Sequence, residues 1–255
     1  MNAPWLVERA RAAWDALSRQ VYPRACVQCG EREGTIASQF CGDCWETLPK
    51  LFQNGCVTCA FPHGLNAEGI CARCLLDPPA FSCAFVPFRY EGAAEKAVLQ
   101  LKFHQKTLLA RPMARAMAEM LMGQRIHAIV AIPLHRSRLR VREYNQAFLL
   151  AAELSTLCAW PLYINELIRV RPTRPQVGFS QADRACNIAD AFHVRHTARI
   201  QGLRLLLVDD VYTSGATLRE GAKTLKQAGA TQIVVAAFAR AMLHSIGSRW
   251  PVRKP

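Results

Sequence analysis

The 255-residue sequence contains no long apolar run. Its longest, such as residues 233–239, fall far short of the ~20 residues that a membrane-spanning helix needs. Nor is an apolar leader expected. Glu8, Arg9, Arg11 and Asp15 break up the start of the chain, so no export signal is expected and the expected location is the cytoplasm. Acidic residues are scarce: 19 against 32 Lys and Arg leave a formal net charge of +13. The shortage is local. Residues 1–80 carry 7 basic and 8 acidic side chains, whereas residues 81–255 carry 25 and 11. The second stretch therefore suits an anionic partner, either a phosphate-rich small molecule or nucleic acid, and the asymmetry points to two units. With 51% hydrophobic and 20% charged residues, a mostly disordered chain is excluded.

Cysteine is abundant, but its placement argues against disulfides. Eight of the 11 cysteines form four CxxC pairs: Cys26/Cys29, Cys41/Cys44, Cys56/Cys59 and Cys71/Cys74. Each pair begins 15 residues after the previous one, and a 30-residue period also holds, with CVQC returning as CVTC and Pro49 as Pro79. Two CxxC loops close one tetrahedral four-thiolate site, so eight thiolates imply two zinc ions. The longer period favours sequential pairing, while the uniform spacing leaves nested and crossed pairings open. Closed sites of this kind are structural, and units this short draw their folding energy from the metal. Cys83, Cys158 and Cys186 lie outside the pattern and read as small buried hydrophobes. Ahead of the ribbons, Trp5, Leu6, Ala10, Ala13, Trp14, Leu17 and Val21 recur at helical spacing. The expected organisation is an amphipathic helix in residues 1–25, a double zinc ribbon over 26–80, and a larger domain over 81–255.

The larger domain alternates strand and helix patterns. Strands are expected at 84–90, 127–132, 162–170, 202–208 and 232–239, and helices at 93–103, 108–122, 145–158 and 216–228. This order predicts an α/β fold with a parallel sheet, whose ligands sit at the carboxyl ends of strands. One such end stands out. Four apolar residues, 205–208, lead into Asp209 and Asp210, then into Thr213, Ser214, Gly215, Ala216 and Thr217 at the start of a helix. Backbone N–H groups at a helix N-terminus attract phosphate. The hydroxyls add donors, and Gly215 allows close approach. Two adjacent carboxylates accept hydrogen bonds from paired hydroxyls, such as those of a ribose. Left unpaired after a buried strand, they would be costly.

At these residues the sequence resembles the type I phosphoribosyltransferases, whose signature for 5-phosphoribosyl-1-diphosphate (PRPP) matches VDDVYTSGAT. The resemblance implies that Asp209 and Asp210 hold the ribose hydroxyls and that residues 213–217 bind the 5′-phosphate, with Mg²⁺ accompanying PRPP. The remaining motifs, in order, are the CxxC pairs, Leu101-Lys102-Phe103, Ile132-Pro133-Leu134-His135 with Arg138, Arg142 and Asn145-Gln146, then Pro175-Gln176, Ser180-Gln181, Arg184 and Asn187. Together they resemble the ComF (ComFC/GntX-like) family over nearly the whole chain. That family is linked to uptake of transforming DNA in competent bacteria.

The resemblance gives further residues expected roles. Lys102, Leu134, His135, Arg136 and Arg138 are candidates for a diphosphate loop. Arg171, Arg174 and Arg184 are candidates on a loop that closes over the ligand. Departures from the pattern fall at Arg136 and Arg174, where proline is usual, at Glu143, where glycine is usual, and at Gln105, near a usual glycine. The expected function is PRPP binding by a zinc-containing protein that acts in uptake or processing of transforming DNA. Single-stranded DNA and DNA-uptake proteins are the expected partners. The alternative is a salvage enzyme that transfers the phosphoribosyl group to a nucleobase. No segment reads as an acceptor pocket, and no residue is assigned as catalytic.

Overall fold

A computed structural model describes residues 25–31, 40–51, 55–172 and 186–242. Residues 1–24 of the segment in which the amphipathic helix is expected, and most of the loop carrying Arg174 and Arg184, lie outside the described residues. The chain divides into two compact units, Met1–Leu48 and Pro49–Pro255. The boundary falls between the two cysteine groups, so the second group belongs to the larger unit.

In the smaller unit, a turn at Cys26–Gly30 leads to the short helix α1 (Gly42–Glu46). Phe40 is fully buried and meets Trp45 edge-on, with ring centroids 5.5 Å apart.

The larger unit begins with the same turn, followed by α2 (Ala72–Leu76). Its sheet is built from β1 (Cys83–Phe85), β2 (Phe88–Arg89), β3 (Ala128–Ala131), β6 (Arg204–Tyr212) and β7 (Gln232–Arg240). The order is β1-β7-β6-β3, with β2 also on β7, and every pairing is parallel. The parallel α/β expectation is therefore met. Residues 205–208 of β6 and 233–239 of β7 are buried along their whole length. Such continuous apolar runs mark strands covered on both faces.

The helices are α3 (Gly92–Phe103), α4 (Ala110–Met120), α5 (Arg136–Arg142), α6 (Gln146–Cys158) and α7 (Ala216–Gln227). Helix α6 packs on β3 and β6, and α7 packs on β6, β7 and the segment Phe192–Val194. Leu218, Ala222 and Leu225 of α7 bury against Leu205 and Leu207 of β6. Gly221 is small because a Cβ there would lie 2.9 Å from Ile132 Cδ1, so α7 can press closely onto the sheet. No helix among the described residues is long and apolar enough to cross a membrane.

Several expected elements change shape. The strand expected at 84–90 breaks into β1 and β2 around Pro87, which has no N–H to donate. The strand expected at 162–170 contracts to β4 (Leu167–Arg169), because Asn165 turns into the left-handed region at φ 61°. It pairs antiparallel with β5 (Phe192–Val194), a strand not anticipated, in a separate two-stranded sheet. The segment after β3 includes helix α5 where a loop was expected. Cys83 and Cys158 are only partly buried and Cys186 is exposed, so none of the three is a core hydrophobe.

Candidate functional site

The cysteines gather in two groups. Cys26, Cys29, Cys41 and Cys44 form one, and Cys56, Cys59, Cys71 and Cys74 the other, with ligand atoms within 4.8 Å of one another in each. Pairing is thus sequential. The 30-residue period appears in the hydrogen bonds. Cys26 N donates to Glu31 O at 2.8 Å and Gly30 N to Cys26 O at 2.9 Å; Cys56 N donates to Phe61 O and Ala60 N to Cys56 O, both at 2.7 Å. Gly30 and Ala60 both close their turns at positive φ, 81° and 57°.

Cys29 Sγ and Cys41 Sγ are 3.7 Å apart, and Cys59 Sγ and Cys71 Sγ 3.6 Å. A tetrahedron with Zn–S bonds of about 2.3 Å has edges of ~3.8 Å, so both groups fit zinc and would hold it with four protein ligands, as structural sites do. Burial raises the Cys56 thiol, but the amides of Cys71, Cys59 and Thr58 outweigh it and bring it down to about 7. Burial pushes Cys59 up to about 11, against the pull of Arg240. Two arginines of the α/β layer face these sulfurs. Arg240 Nη2 donates to Cys59 Sγ at 3.8 Å and Arg219 Nη2 to Cys74 Sγ at 3.9 Å. Arg219 also bonds the carbonyl and the carboxylate of Asp77, at 2.8 and 2.9 Å. Outer-shell cations of this kind offset thiolate charge.

Strand β6 does not stop before the acid pair but runs through it to Tyr212. Asp209 stands opposite Ala237 of β7. Asp210 is buried and forms an ion pair with Lys102 Nζ at 2.8 Å, the two side chains being only 9% and 11% exposed. That pairing meets the cost of burying a carboxylate. Asp209 Oδ1 accepts from the Asp210 amide at 2.9 Å. Burial, reinforced by the charge of Asp210, pushes the Asp209 carboxyl up to about 7, while Lys102 and Arg169 pull it down. Burial and the neighbouring Arg138 charge lower Arg169 to about 10. Lys102 and Arg169 thus converge on the acid pair from α3 and β4, and Arg138 of α5 lies in the field of Arg169.

Local bonds hold Lys102 there. Tyr144 Oη donates to Leu101 O at 2.5 Å, Asn145 Nδ2 to Ile132 O at 2.9 Å, and Gln105 Nε2 to Glu143 Oε2 at 2.8 Å. Gln105 and Glu143 are the positions where glycine is usual or nearby. Both are left-handed, with φ 53° and 67°, and their side chains bond to each other across the corner.

Residues 213–215 turn from β6 into α7. Gly215 caps the helix at φ 78°, and a Cβ there would lie 2.4 Å from Tyr212 Cε2. Only glycine fits. Ser214 is buried and its Oγ accepts from Ala216 N at 3.4 Å. Thr213 and Thr217 remain partly exposed. Arg73, on α2 between Cys71 and Cys74, donates from Nη1 to Ser214 O at 2.7 Å. The second cysteine group therefore braces this turn.

The other candidates scatter. His135 caps α5, its Nδ1 accepting from Ser137 N at 3.3 Å. Leu134 is partly buried between β3 and α5, and Arg136 is exposed. Arg171 donates to the carbonyls of Asn187 and Ala189, closing the base of its loop. Arg73, Arg169, Arg219 and Arg240 carried no expected role. The one signal was Arg240, a lone charge that ends an apolar strand pattern.

The double zinc ribbon domain family matches residues 17–75. The DNA utilization protein YhgH of Salmonella typhi is 33% identical over 196 residues, spanning 73% of this chain and 84% of the relative. Competence protein F of Haemophilus influenzae is 30% identical over 224 residues, spanning 85% and 96%. Among solved structures, adenine phosphoribosyltransferase from Thermoanaerobacter pseudethanolicus superposes with a TM-score of 0.36 at 15% identity, over 55% of this chain and 83% of that one.

Proposed function

Because the chain belongs to the ComF family of competence and DNA-utilization proteins, we propose that it binds PRPP at the carboxyl end of β6 and acts in handling DNA taken up by the cell. The observation that carries the reading is the acid pair Asp209–Asp210, with Asp210 buried against Lys102, at the end of a strand that turns tightly into a helix N-terminus. In this reading Asp209 and Asp210 accept bonds from the ribose hydroxyls. The N–H groups and hydroxyls of residues 213–217 take the 5′-phosphate. Lys102, Arg138 and Arg169 face the diphosphate, and Lys102 exchanges Asp210 for a ligand oxygen when PRPP arrives. Magnesium usually binds through one or two carboxylates plus substrate phosphates. The two aspartates fit that pattern, so the ion would come with the diphosphate.

The two cysteine groups, in the double ribbon of residues 26–80, hold structural zinc. The basic residues of the larger domain, among them the exposed Arg136 and Arg140, supply salt-sensitive contacts to single-stranded DNA. Proteins of DNA uptake are the matching partners, and the reading includes a cytoplasmic location.

Calorimetric titration with PRPP and Mg²⁺ tests the central claim. Hydrogen bonds to charged groups are worth about 1.5–3 kcal/mol. The Asp209→Asn/Asp210→Asn double variant should therefore bind at least about tenfold more weakly. Equal affinity in a folded double variant would reject the site.

A further inference from the structure

Helix α2 is held from two sides and by little else. It has five residues, far fewer than a helix needs to persist alone. Its one buried residue is Cys74, a member of the second cysteine group, and Cys71 of the same group caps its start. Leu75 and Leu76 are 59% and 85% exposed, so no apolar face fastens the helix. A cavity of about 530 Å³ lies beside it, lined by Ala72 and Leu76 and by Thr213, Arg240 and Ala241. Zinc would grip α2 through Cys71 and Cys74.

The other grip comes from the turn after β6. Arg73 Nη1, on α2, donates to Ser214 O at 2.7 Å. Arg219 of α7 donates to the carbonyl of Asp77, the residue that ends α2, at 2.8 Å, and to Cys74 Sγ at 3.9 Å. A third connection reaches the sulfurs without passing through α2. Arg240 Nη2 donates to Cys59 Sγ at 3.8 Å, while its guanidinium lies 4.0 Å from the Tyr212 ring centroid. That ring presses on Gly215, where a Cβ would lie 2.4 Å from Tyr212 Cε2. Each arginine thus joins the second cysteine group, or the helix that carries half of it, to residues 212–219.

We propose that zinc in the second cysteine group and phosphate on the 213–217 turn are linked ligands, each raising the affinity for the other through α2. The proposal rests on the PRPP reading for placing a phosphate at that turn.

The physical basis is the double grip. Without zinc, Cys71 and Cys74 lose their common anchor, α2 frays, and Arg73 leaves the Ser214 carbonyl. With phosphate bound, the turn and the start of α7 are held still. Arg73 and Arg219 then keep α2 where Cys71 and Cys74 meet Cys56 and Cys59. A coupling free energy of this kind acts equally in both directions. The first cysteine group belongs to the other compact unit, so no coupling is expected there. Arg73 is a positioning residue in this scheme, acting on the phosphate through the Ser214 backbone.

The test measures zinc affinity in the full chain, by titration in a zinc buffer with and without saturating ribose 5-phosphate. That probe offers the turn a phosphate with neither diphosphate nor Mg²⁺. The two zinc steps are told apart with Cys26→Ser, which weakens the first group alone. Ribose 5-phosphate should raise the affinity of the second group about tenfold, within the usual range of coupling between sites, and leave the first group unchanged. The first group also serves as the control for zinc bound by the sugar phosphate itself. Arg73→Met keeps the length of the side chain and removes its donors. It should cut the coupling to about twofold or less.

Zinc affinity of the second group that does not respond to ribose 5-phosphate overturns the proposal, as does an equal response at both groups. Coupling that persists undiminished in Arg73→Met, with only a lower Tm, overturns the route through α2 and leaves Arg73 a plain structural brace. Calorimetry with ribose 5-phosphate and with PRPP and Mg²⁺ on the same samples separates this proposal from the reading it rests on. Protein that binds both ligands with unchanged zinc affinity keeps the proposed function and loses the linkage. Protein that binds neither ligand loses both.

Discussion

Replacing Asp209 with Asn should make the ligand-free protein more stable at neutral pH while weakening its binding of PRPP. Burial and the adjacent Asp210 charge raise the Asp209 carboxyl from 3.8 to about 7. Between those values the folded protein holds a proton that the unfolded chain releases. Stability therefore falls as pH rises from about 4 to 7 and stays at its lower level above that. Each pH unit of that interval is worth about 1.4 kcal/mol, giving a ceiling of roughly 4 kcal/mol. Solvent reaches part of the Asp209 side chain, so we expect about 1–2 kcal/mol after screening. Asn keeps the acceptor for the Asp210 amide and removes the charge. For a unit of this size the gain corresponds to a rise in Tm of about 2–8 °C. Thermal denaturation of both proteins from pH 4 to 8.5 measures it. The advantage of Asn should be absent near pH 4, grow through pH 6 and level off above pH 7. A variant less stable than wild type at pH 8, or one whose advantage does not change with pH, would refute the account of a strained carboxylate kept for binding.

Elemental analysis should find two zinc ions per chain. Cys59→Ser should lower the Tm of the larger unit, whose core includes that cysteine group, whereas Cys26→Ser should leave that Tm unchanged; equal effects would refute the assignment of the groups to different units. Gly215→Ala forces a Cβ to 2.4 Å from Tyr212 Cε2 at φ 78°, so it should lower stability by about 1–3 kcal/mol and PRPP affinity tenfold or more; wild-type affinity in calorimetry would show that the turn does not hold the phosphate. Single-stranded DNA affinity should fall steeply with salt, and Arg136→Gln/Arg140→Gln should reduce the slope of log K against log salt by about 1.4. An unchanged slope would remove α5 from the DNA surface.

Local spacing made the zinc ligands legible, because a CxxC loop brings its two sulfurs together whatever surrounds it. The same holds for the acid pair and the 213–217 turn, where a buried strand, two carboxylates and a left-handed glycine follow one another directly. The parallel sheet was legible from the alternation of strands and helices. Pairing among the cysteines was not, since a uniform 15-residue spacing allows several closures and the tertiary turns select one. Nor did Lys102 announce itself as the partner of Asp210. That contact depends on how α3 crosses the end of β6, and on left-handed turns at Gln105 and Glu143 that the sequence assigns to no particular neighbour.

The same limit explains the four arginines. Arg73, Arg169 and Arg219 look like ordinary surface cations in the sequence, and Arg240 stands out only as a lone charge closing an apolar strand, because a charge has no meaning for a site until burial and a partner give it one. Folding brings Arg73 to the Ser214 carbonyl, Arg219 and Arg240 to cysteine sulfurs, and Arg169 to the field of Asp209. Local chemistry along the chain thus determined where zinc fits and, in the proposed reading, where a phosphorylated sugar is held. Only the packing of distant segments decided that the second cysteine group braces the turn after β6 and walls a cavity beside it.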